Sequence, residues 1–433
     1  MVSDGLVKFV LRGARLTLMM RVFGLGLSFF SHRYFAGILG RDDYGTYSFA
    51  LACTTVLVLA STLGLDTLLT RFLAIYRGGE EWGRMRGLLL WAARSSTRNS
   101  LIVFALGGAL LAFASGGLSE ELRRTFLYCL PLVFVLTWKN LGQGTLKGLL
   151  RVVHSETLDN VLRPTLMLGV AFGFARLGSG SASAHQLMQA NLIAATTALL
   201  LCAFLVARAW PSVANESEPE YSKSEWFKVA APLVFTSGIF LLLARTDILM
   251  LGILSSSSAV ADYAVITRFS NLTVLGLASA TAMIGPVAAN LHRRGDLTAL
   301  QKVVTKAVQW SSLLTALIAV GLLVLGRPLL AWFGDGYEHG YVPMLILLGG
   351  QAVNAFAGPV GYLLSMTGNQ GRVVQVIGAS AVLNVILNAL LIPRFGVLGA
   401  ATATALTNVI WNLVLLRSVR TTLKIDSTAL GRI

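Results

Sequence analysis

Charged residues are scarce in this sequence. Only 13% of its 433 residues are Asp, Glu, Lys or Arg, whereas a typical soluble domain has about 25%. A soluble protein of this length would form two or three domains with polar surfaces, and so few charges cannot cover them. Disorder is excluded because 55% of the residues are hydrophobic and the mean hydropathy is +0.71. The composition predicts an all-α integral membrane protein and by itself indicates no catalytic function.

Cysteine is also nearly absent from the sequence. The three cysteines, Cys53, Cys129 and Cys202, each lie in an apolar run. An odd number without paired spacing is typical of neither a disulfide framework nor a zinc site, so we interpret them as small apolar residues. We predict no metal site and no cofactor.

Long apolar runs are abundant. A membrane helix needs about 20 mainly apolar residues, and twelve runs meet that need, so we predict about 12 transmembrane helices. The predicted spans are 16–38, 46–69, 97–115, 126–146, 160–177, 187–207, 229–254, 264–289, 306–326, 341–366, 373–393 and 398–417.

One polar stretch divides the spans into two sets of six. Residues 211–226, PSVANESEPEYSKSEW, contain two prolines and four glutamates and follow the sixth span. Such a composition predicts a solvated linker. We therefore predict an N-terminal half at 1–210 and a C-terminal half at 227–433.

Basic residues outnumber acidic residues by 35 to 20, for a net charge of +15. They do not gather in one arm or stripe, so we predict no nucleic-acid partner. If the N-terminus is cytoplasmic, 24 of the 35 lie in inner segments and 7 in outer segments. Basic residues favour the cytoplasmic side of a membrane, where they also contact anionic membrane lipids. The count predicts an even number of spans and both termini in the cytoplasm.

The order and spacing of several short segments resemble the polysaccharide transporter family of the multidrug/oligosaccharidyl-lipid/polysaccharide (MOP) flippase superfamily. The resemblance covers residues 10–420. It rests on LLLARTDILMLGILSSSSAVADYAVITRFSNL (241–272), GPVAANL (285–291), WFGDGYEHG (332–340), ILLGGQAVNAFAGPVGYLLSMTGNQ (346–370), AGILGRDDYGTYSFAL (36–51), LGLDTLLTRFLA (63–74) and NVLRPTLML (160–168).

This resemblance implies both a fold and a function. The implied fold is a MATE-like, V-shaped bundle of two six-helix halves. The implied function is that of a flippase, which moves a polyprenyl-pyrophosphate-linked oligosaccharide across the cytoplasmic (inner) membrane for O-antigen, capsule or exopolysaccharide assembly. The polysaccharide polymerase and the chain-length machinery would then be possible partners.

Four basic residues lie within predicted spans: Arg21, Lys139, Arg245 and Arg268. Each costs about 2.5–3.5 kcal/mol at bilayer depth, so each needs a partner, a water-filled cavity, or a path for its side chain to the interface. Arg163 opens the fifth span, where an i, i+4 pair with Asp159 is the structural alternative. An anionic headgroup would suit a basic cavity, so all five are candidate substrate-binding residues.

Two helical spacings refine this set of candidates. Lys139, Gln143 and Lys147 fall at i, i+4 and i+8, so they form one polar stripe. Arg245 and Asp247 are about 200° apart around a helix, so they cannot pair with each other. Asp247 is the one carboxylate we place deep in a span. We expect it either to pair with a basic residue on a neighbouring helix, which we favour, or to load a coupling ion.

Three other functions remain as alternatives to the flippase. An ion-coupled multidrug exporter of the same superfamily would favour an acidic cavity rather than a basic one. A membrane glycosyltransferase or polymerase would need a sizeable outer loop, and Asp42-Asp43 are better interpreted as a turn before a helix. A scaffold without transport is the third. We predict that the protein is not an enzyme.

The charge count leads to a test of topology. Reporter fusions after residues 120, 218 and 433 should read outside, inside and inside, because inner segments hold most of the basic residues. The measurement is the paired activity of a reporter active only outside and one active only inside. A reversed or odd pattern would contradict the predicted number of spans.

Overall fold

The structure, a computed structural model, describes residues 4–113, 117–178 and 180–431. Across these ranges the regular structure is helical, and no strand occurs in them. The chain divides into two compact units, residues 1–238 and 239–433. The all-α fold predicted from composition is confirmed.

The first unit begins with a helix that bends at a glycine. Helix α1 (Asp4–Thr62) is interrupted at Gly40, where φ is +74° and an L side chain would be strained. The predicted spans 16–38 and 46–69 begin on either side of that break. The elements that follow are α2 (Leu65–Gly78), α3 (Trp82–Phe113), α4 (Glu120–Gly148), α5 (Val152–Thr157), a π-helical turn (Leu158–Leu162), α6 (Arg163–Leu177), α7 (Ala184–Ala209), α8 (Ser212–Glu216) and α9 (Lys223–Leu254).

The second unit contains the end of α9 and six further helices. Its last helix, α15 (Gln370–Leu423), is broken at Gly396, where φ is +53°. Its remaining elements are α10 (Ser257–Leu272), α11 (Val274–Arg294), α12 (Leu297–Ala331), a 3₁₀ turn (Tyr337–Gly340), α13 (Tyr341–Ala357) and α14 (Val360–Met366). An apolar core of this unit joins residues of α11, α12, α14 and α15.

Eight helical stretches in the described residues are long and apolar enough to cross a membrane. Gln370–Leu423 contains two predicted spans across a glycine break, and Met19–Thr62 contains most of two others, although the predicted span 46–69 runs past the helix end at Thr62 into α2. The described part of every predicted span is mainly helical, and residues 114–115 of the third lie outside the described residues. The protein is therefore a multi-pass membrane protein, while the count of twelve stays a prediction.

The polar stretch 211–226 is mostly exposed but is anchored to the first unit at two points. The guanidinium of Arg86 donates to the backbone carbonyl of Ser217 at 2.8 Å. Trp226 is fully buried, and its indole N–H donates to the hydroxyl of Tyr76 at 2.8 Å. Ala214 and Trp226 are buried, whereas most of the other residues in the stretch are exposed. Its role as a solvated linker between two halves stays a prediction.

Helices α2 and α4 approach each other closely at a glycine. A Cβ atom added to Gly144 would lie 2.3 Å from the carbonyl oxygen of Asp66, well inside any real contact. The hydroxyl of Thr70 donates to the carbonyl of Gly144 at 3.3 Å across the same contact. Small residues permit such close packing of membrane helices. This contact holds α4, which carries the polar stripe, against α2.

We expect Gly144→Ala to destabilise the first unit by about 1–3 kcal/mol, because the added methyl group overpacks backbone that cannot move aside. Gly173→Ala in α6 is the matched control, since nothing lies within 4 Å of the added atom there. The measurement is the midpoint of thermal unfolding of each purified variant in detergent. Equal midpoints for the two variants would contradict the close contact.

Candidate functional site

In the first unit, one buried acidic residue forms ion pairs with two basic residues. The buried carboxylate of Glu156 accepts two hydrogen bonds from the guanidinium of Arg21, at 3.0 and 3.1 Å. It also pairs with the ammonium of Lys147 at 3.2 Å and accepts from the amide of Asn160 at 3.1 Å. The charge of Arg21 is thus met by a partner that sequence reasoning missed.

Lys139 lies deeper in the same unit, where its side chain is only 3% exposed. Its ammonium forms an ion pair with Asp159. One turn away, the amide of Gln143 donates to the carbonyl of Ser155 at 3.2 Å. The polar stripe predicted on α4 is therefore confirmed as one face, and that face contacts α5 and the π-helical turn.

Arg163 does not take the predicted i, i+4 partner. Asp159 pairs with Lys139, and the guanidinium of Arg163 donates to the side-chain oxygen of Asn191 at 2.8 Å. The reason is local geometry, because residues 158–162 form a π-helical turn in which positions i and i+4 no longer stack as in an α-helix. Such turns occur frequently at functional sites.

The helical stretch that holds Arg163 also begins earlier than predicted. It starts at Val152 rather than at residue 160. Glu156 and Asp159 consequently lie inside it, packed against α4. Asp247 is thus not the only acidic group held inside a helical segment, and its place as the one carboxylate deep in a membrane span stays a prediction.

A cavity of about 300 Å³ lies beside these pairs in the first unit. Its polar lining includes Asp159 and Arg163 from one helical stretch, Asn191 from α7, and His32 and Tyr47 from α1. Basic and acidic groups thus face it together. The cavity is polar, but its carboxylate already balances much of the local positive charge.

Asp247 of the second unit is held by neutral donors. Its side chain is buried and accepts hydrogen bonds from the hydroxyl of Tyr263 at 2.5 Å, the hydroxyl of Thr404 at 2.6 Å and the amide of Asn388 at 2.8 Å. Within the described residues it forms no ion pair with a basic group. The pair that the sequence favoured, with a cation on a neighbouring helix, is therefore wrong.

Polar oxygen atoms cluster around this carboxylate. The amide of Asn388 also contacts the side-chain oxygen of Asn384 at 3.1 Å, and the amide of Asn384 lies 3.4 Å from the hydroxyl of Thr404. Asn384 and Asn388, one turn apart on α15, therefore contact each other, and Asn388 also bonds across to α9. A single carboxylate among neutral oxygens is a setting that a proton or a monovalent cation would neutralise.

Arg245 and Arg268 form the second polar feature of this unit. The Nε atom of each is buried without a hydrogen-bond partner, and within the described residues neither guanidinium forms an ion pair. The two groups lie close enough for their positive charges to repel each other. Repulsion without compensation favours an anion between or beside them.

Arg245 and Asp247 line one cavity of about 440 Å³ in the second unit. They do not pair with each other within the described residues, as their angular spacing predicted. Amides and hydroxyls make up most of the remaining polar lining: Tyr263, Thr267, Asn271, Gln351, Asn354, Asn384, Thr404 and Asn408. The cavity thus offers one cationic and one anionic group among neutral donors and acceptors.

Sequence reasoning missed Glu156 and Thr404 as members of these clusters. Glu156 is three residues before Asp159, so the two share a helix face. The sequence did not show that the helix begins early enough to include them. Thr404 is four residues before Asn408 and shares its face of α15. Its proximity to Asp247 depends on the packing of α9 against α15.

Comparison with known proteins identifies the family. The profile described as "Polysaccharide biosynthesis protein" matches residues 10–292, and the MatE profile matches residues 232–390. The probable low-salt glycan biosynthesis flippase Agl15 of Haloferax volcanii is 26% identical over 397 residues, covering 89% of this chain and 78% of that protein.

Solved structures share the fold at low sequence identity. An inward-facing multidrug resistance MATE transporter of the MOP superfamily superposes with a TM-score of 0.76 at 14% identity, covering 95% of this chain and 98% of that one. The lipid II flippase MurJ in an inward closed conformation gives 0.72 at 16% identity, covering 96% and 89%. The resemblance noted in the sequence is confirmed: the chain belongs to the polysaccharide biosynthesis protein family.

Proposed function

We propose that the protein flips a polyprenyl-pyrophosphate-linked oligosaccharide across the cytoplasmic membrane for surface polysaccharide assembly. The observation that carries the proposal is the pair Arg245 and Arg268, one of which lines a polar cavity. Neither guanidinium has an acidic partner among the residues that the structure describes. A diphosphate offers several oxygen acceptors, and guanidinium donors match them in pairs. The hydroxyls and amides of the same cavity suit the sugar.

The other basic candidates take different roles in this proposal. Arg163 faces the cavity of the first unit with part of its guanidinium uncommitted, so it is a second contact for the headgroup. Arg21 forms an ion pair with Glu156, and Lys139 forms one with Asp159. Their main role is then to hold α1 and α4 against α5, and direct substrate contact by either stays a prediction.

Asp247 is the coupling residue in this proposal. A carboxylate held by three neutral donors has no internal counter-charge, so it gains most from a bound proton or sodium ion. Because Arg245 lines the same cavity, loading a cation at Asp247 would raise the positive potential experienced by an anionic headgroup. Ion binding and substrate binding would therefore favour each other.

The cellular setting of the proposal is the cytoplasmic membrane, with both termini and residues 211–226 inside. The excess of basic residues in inner segments supports it. A polysaccharide polymerase and the chain-length machinery would act on the flipped product. A multidrug exporter is the alternative, and it would bind cationic compounds in a cavity that here contains Arg245. The named relatives are flippases and transporters, which favours transport over glycosyl transfer.

We expect Arg245→Gln and Arg268→Gln each to reduce flux of a lipid-linked oligosaccharide at least tenfold, because each removes donors from the diphosphate. Arg→Lys at either position should retain part of the flux, since charge survives but paired donation is lost. The measurement is transfer of a fluorescent lipid-linked oligosaccharide in proteoliposomes, normalised to reconstituted protein. Efflux of cationic dyes by the unaltered protein, without oligosaccharide flux, would instead support the exporter.

Two comparison variants make that experiment decisive. Arg208→Gln removes an exposed guanidinium for which no ion pair occurs in the described part of the chain, and it should leave flux unchanged. Asp159→Asn should lower membrane abundance, because it leaves the buried Lys139 unpaired at a cost of about 3–5 kcal/mol. Normal flux with Arg245→Gln and Arg268→Gln combined would refute the anion site.

Removing the charge of Asp247 tests ion coupling. We expect Asp247→Asn to reach the membrane in normal amounts, because an amide can keep hydrogen bonds to its neutral neighbours. Its flux should no longer respond to an imposed proton or sodium gradient. The measurement compares flux with and without each gradient, and Asp335→Asn, an exposed carboxylate of the same unit, is the control. Unchanged gradient dependence in Asp247→Asn would rule out its coupling role.

A further inference from the structure

An open groove lies between α3 and α4 of the first unit and shares no lining residue with the polar cavity of that unit. Its volume is about 640 Å³ and its walls are almost entirely apolar. Leu101, Ile102 and the ring of Trp138 form the sides, and the small side chains of Ala93 and Ala105 leave room along its length. The groove is therefore shaped for a narrow hydrocarbon chain.

Two arginines stand at one end of this groove. Arg94 and Arg98 line it, are exposed, and are separated by one helical turn, or about 6 Å of rise. Within the described residues neither forms an ion pair, although like charges at this spacing repel each other. An anionic group bound by both would remove that repulsion.

The length of the groove favours a membrane phospholipid as its occupant. From Ala93 to Ala105 the helix rises about 18 Å, and one leaflet of the hydrocarbon core is about 15 Å deep. The arginines lie at the predicted start of the third span, residue 97, on the side of the membrane where basic residues gather. A phosphate on the arginines and an acyl chain in the groove would thus lie at their ordinary depths. A polyprenyl chain is longer than one leaflet and would extend beyond it.

We propose that the groove lined by Arg94, Arg98 and Trp138 is a binding site for an anionic phospholipid of the inner leaflet. The phosphate accepts hydrogen bonds from both guanidinium groups, and one acyl chain lies between α3 and α4. Basic pockets between membrane helices bind anionic headgroups in this way. The groove shares no lining residue with the polar cavity of its own unit, and we assign its occupant as a structural lipid and not the transported one.

Lipid retention by the purified full chain tests the charged end of the site. Native mass spectrometry with added phosphatidylglycerol or phosphatidylcholine should show preferential retention of phosphatidylglycerol by the unaltered protein. Arg94→Gln combined with Arg98→Gln should bind phosphatidylglycerol about 30-fold more weakly, since each basic residue near an anionic headgroup contributes a factor of about five. Arg208→Gln combined with Arg372→Gln removes the same charge from exposed positions outside the groove and should bind normally. Equal weakening in both double variants, or no preference for phosphatidylglycerol, would overturn the proposal.

A substitution that fills the groove tests its apolar end without changing the charge of the protein. Ala105→Phe should reduce retention of phosphatidylglycerol at least fivefold, whereas Ala109→Phe, an exposed position one turn further along α3 and outside the groove, should not. Equal retention by both variants would overturn the acyl-chain assignment. Undecaprenyl phosphate added at equal concentration should fail to displace phosphatidylglycerol. Displacement would assign the groove to the lipid-linked substrate instead.

Discussion

A charged side chain among apolar helices must meet a counter-charge or a set of polar groups, or it destabilises the protein by several kcal/mol. The interior of each unit follows from this constraint. In the first unit, basic groups of α1 and α4 converge on Glu156 and Asp159. The ion pairs therefore join three separate segments of chain, and each segment depends on the others for its neutralisation.

The second unit meets the same constraint in a different way. Asp247 is satisfied by hydroxyl and amide donors, so its charge is stabilised without being cancelled. Arg245 and Arg268 have no acidic partner within the described residues. Ion pairs within the protein stabilise its helix packing. Charged side chains beside a cavity that have no oppositely charged partner can instead bind substrate or an ion. This difference is why Arg245, Arg268 and Asp247 of the second unit take the main proposed binding and coupling roles, with Arg163 of the first unit as a second contact.

Backbone geometry decides which of these groups can meet. Gly144 lets α2 and α4 approach to backbone contact and so fixes the face on which Lys139 lies. The π-helical turn at 158–162 directs Asp159 toward α4 and leaves Arg163 to bond Asn191. One extra residue in a turn thus changes an expected local pair into two contacts between helices.

The sequence by itself determined the membrane class, the helical fold, the family, and that Arg245 and Asp247 do not pair, because hydropathy, residue order and helical period are local properties. It also determined the polar stripe on α4. Only the tertiary structure decided the partners. Glu156 for Arg21, Thr404 for Asp247 and the packed position of Trp226 each join residues more than a hundred positions apart in sequence. Such contacts depend on how helices pack, and a single sequence carries no direct signal for the partner of a buried charge.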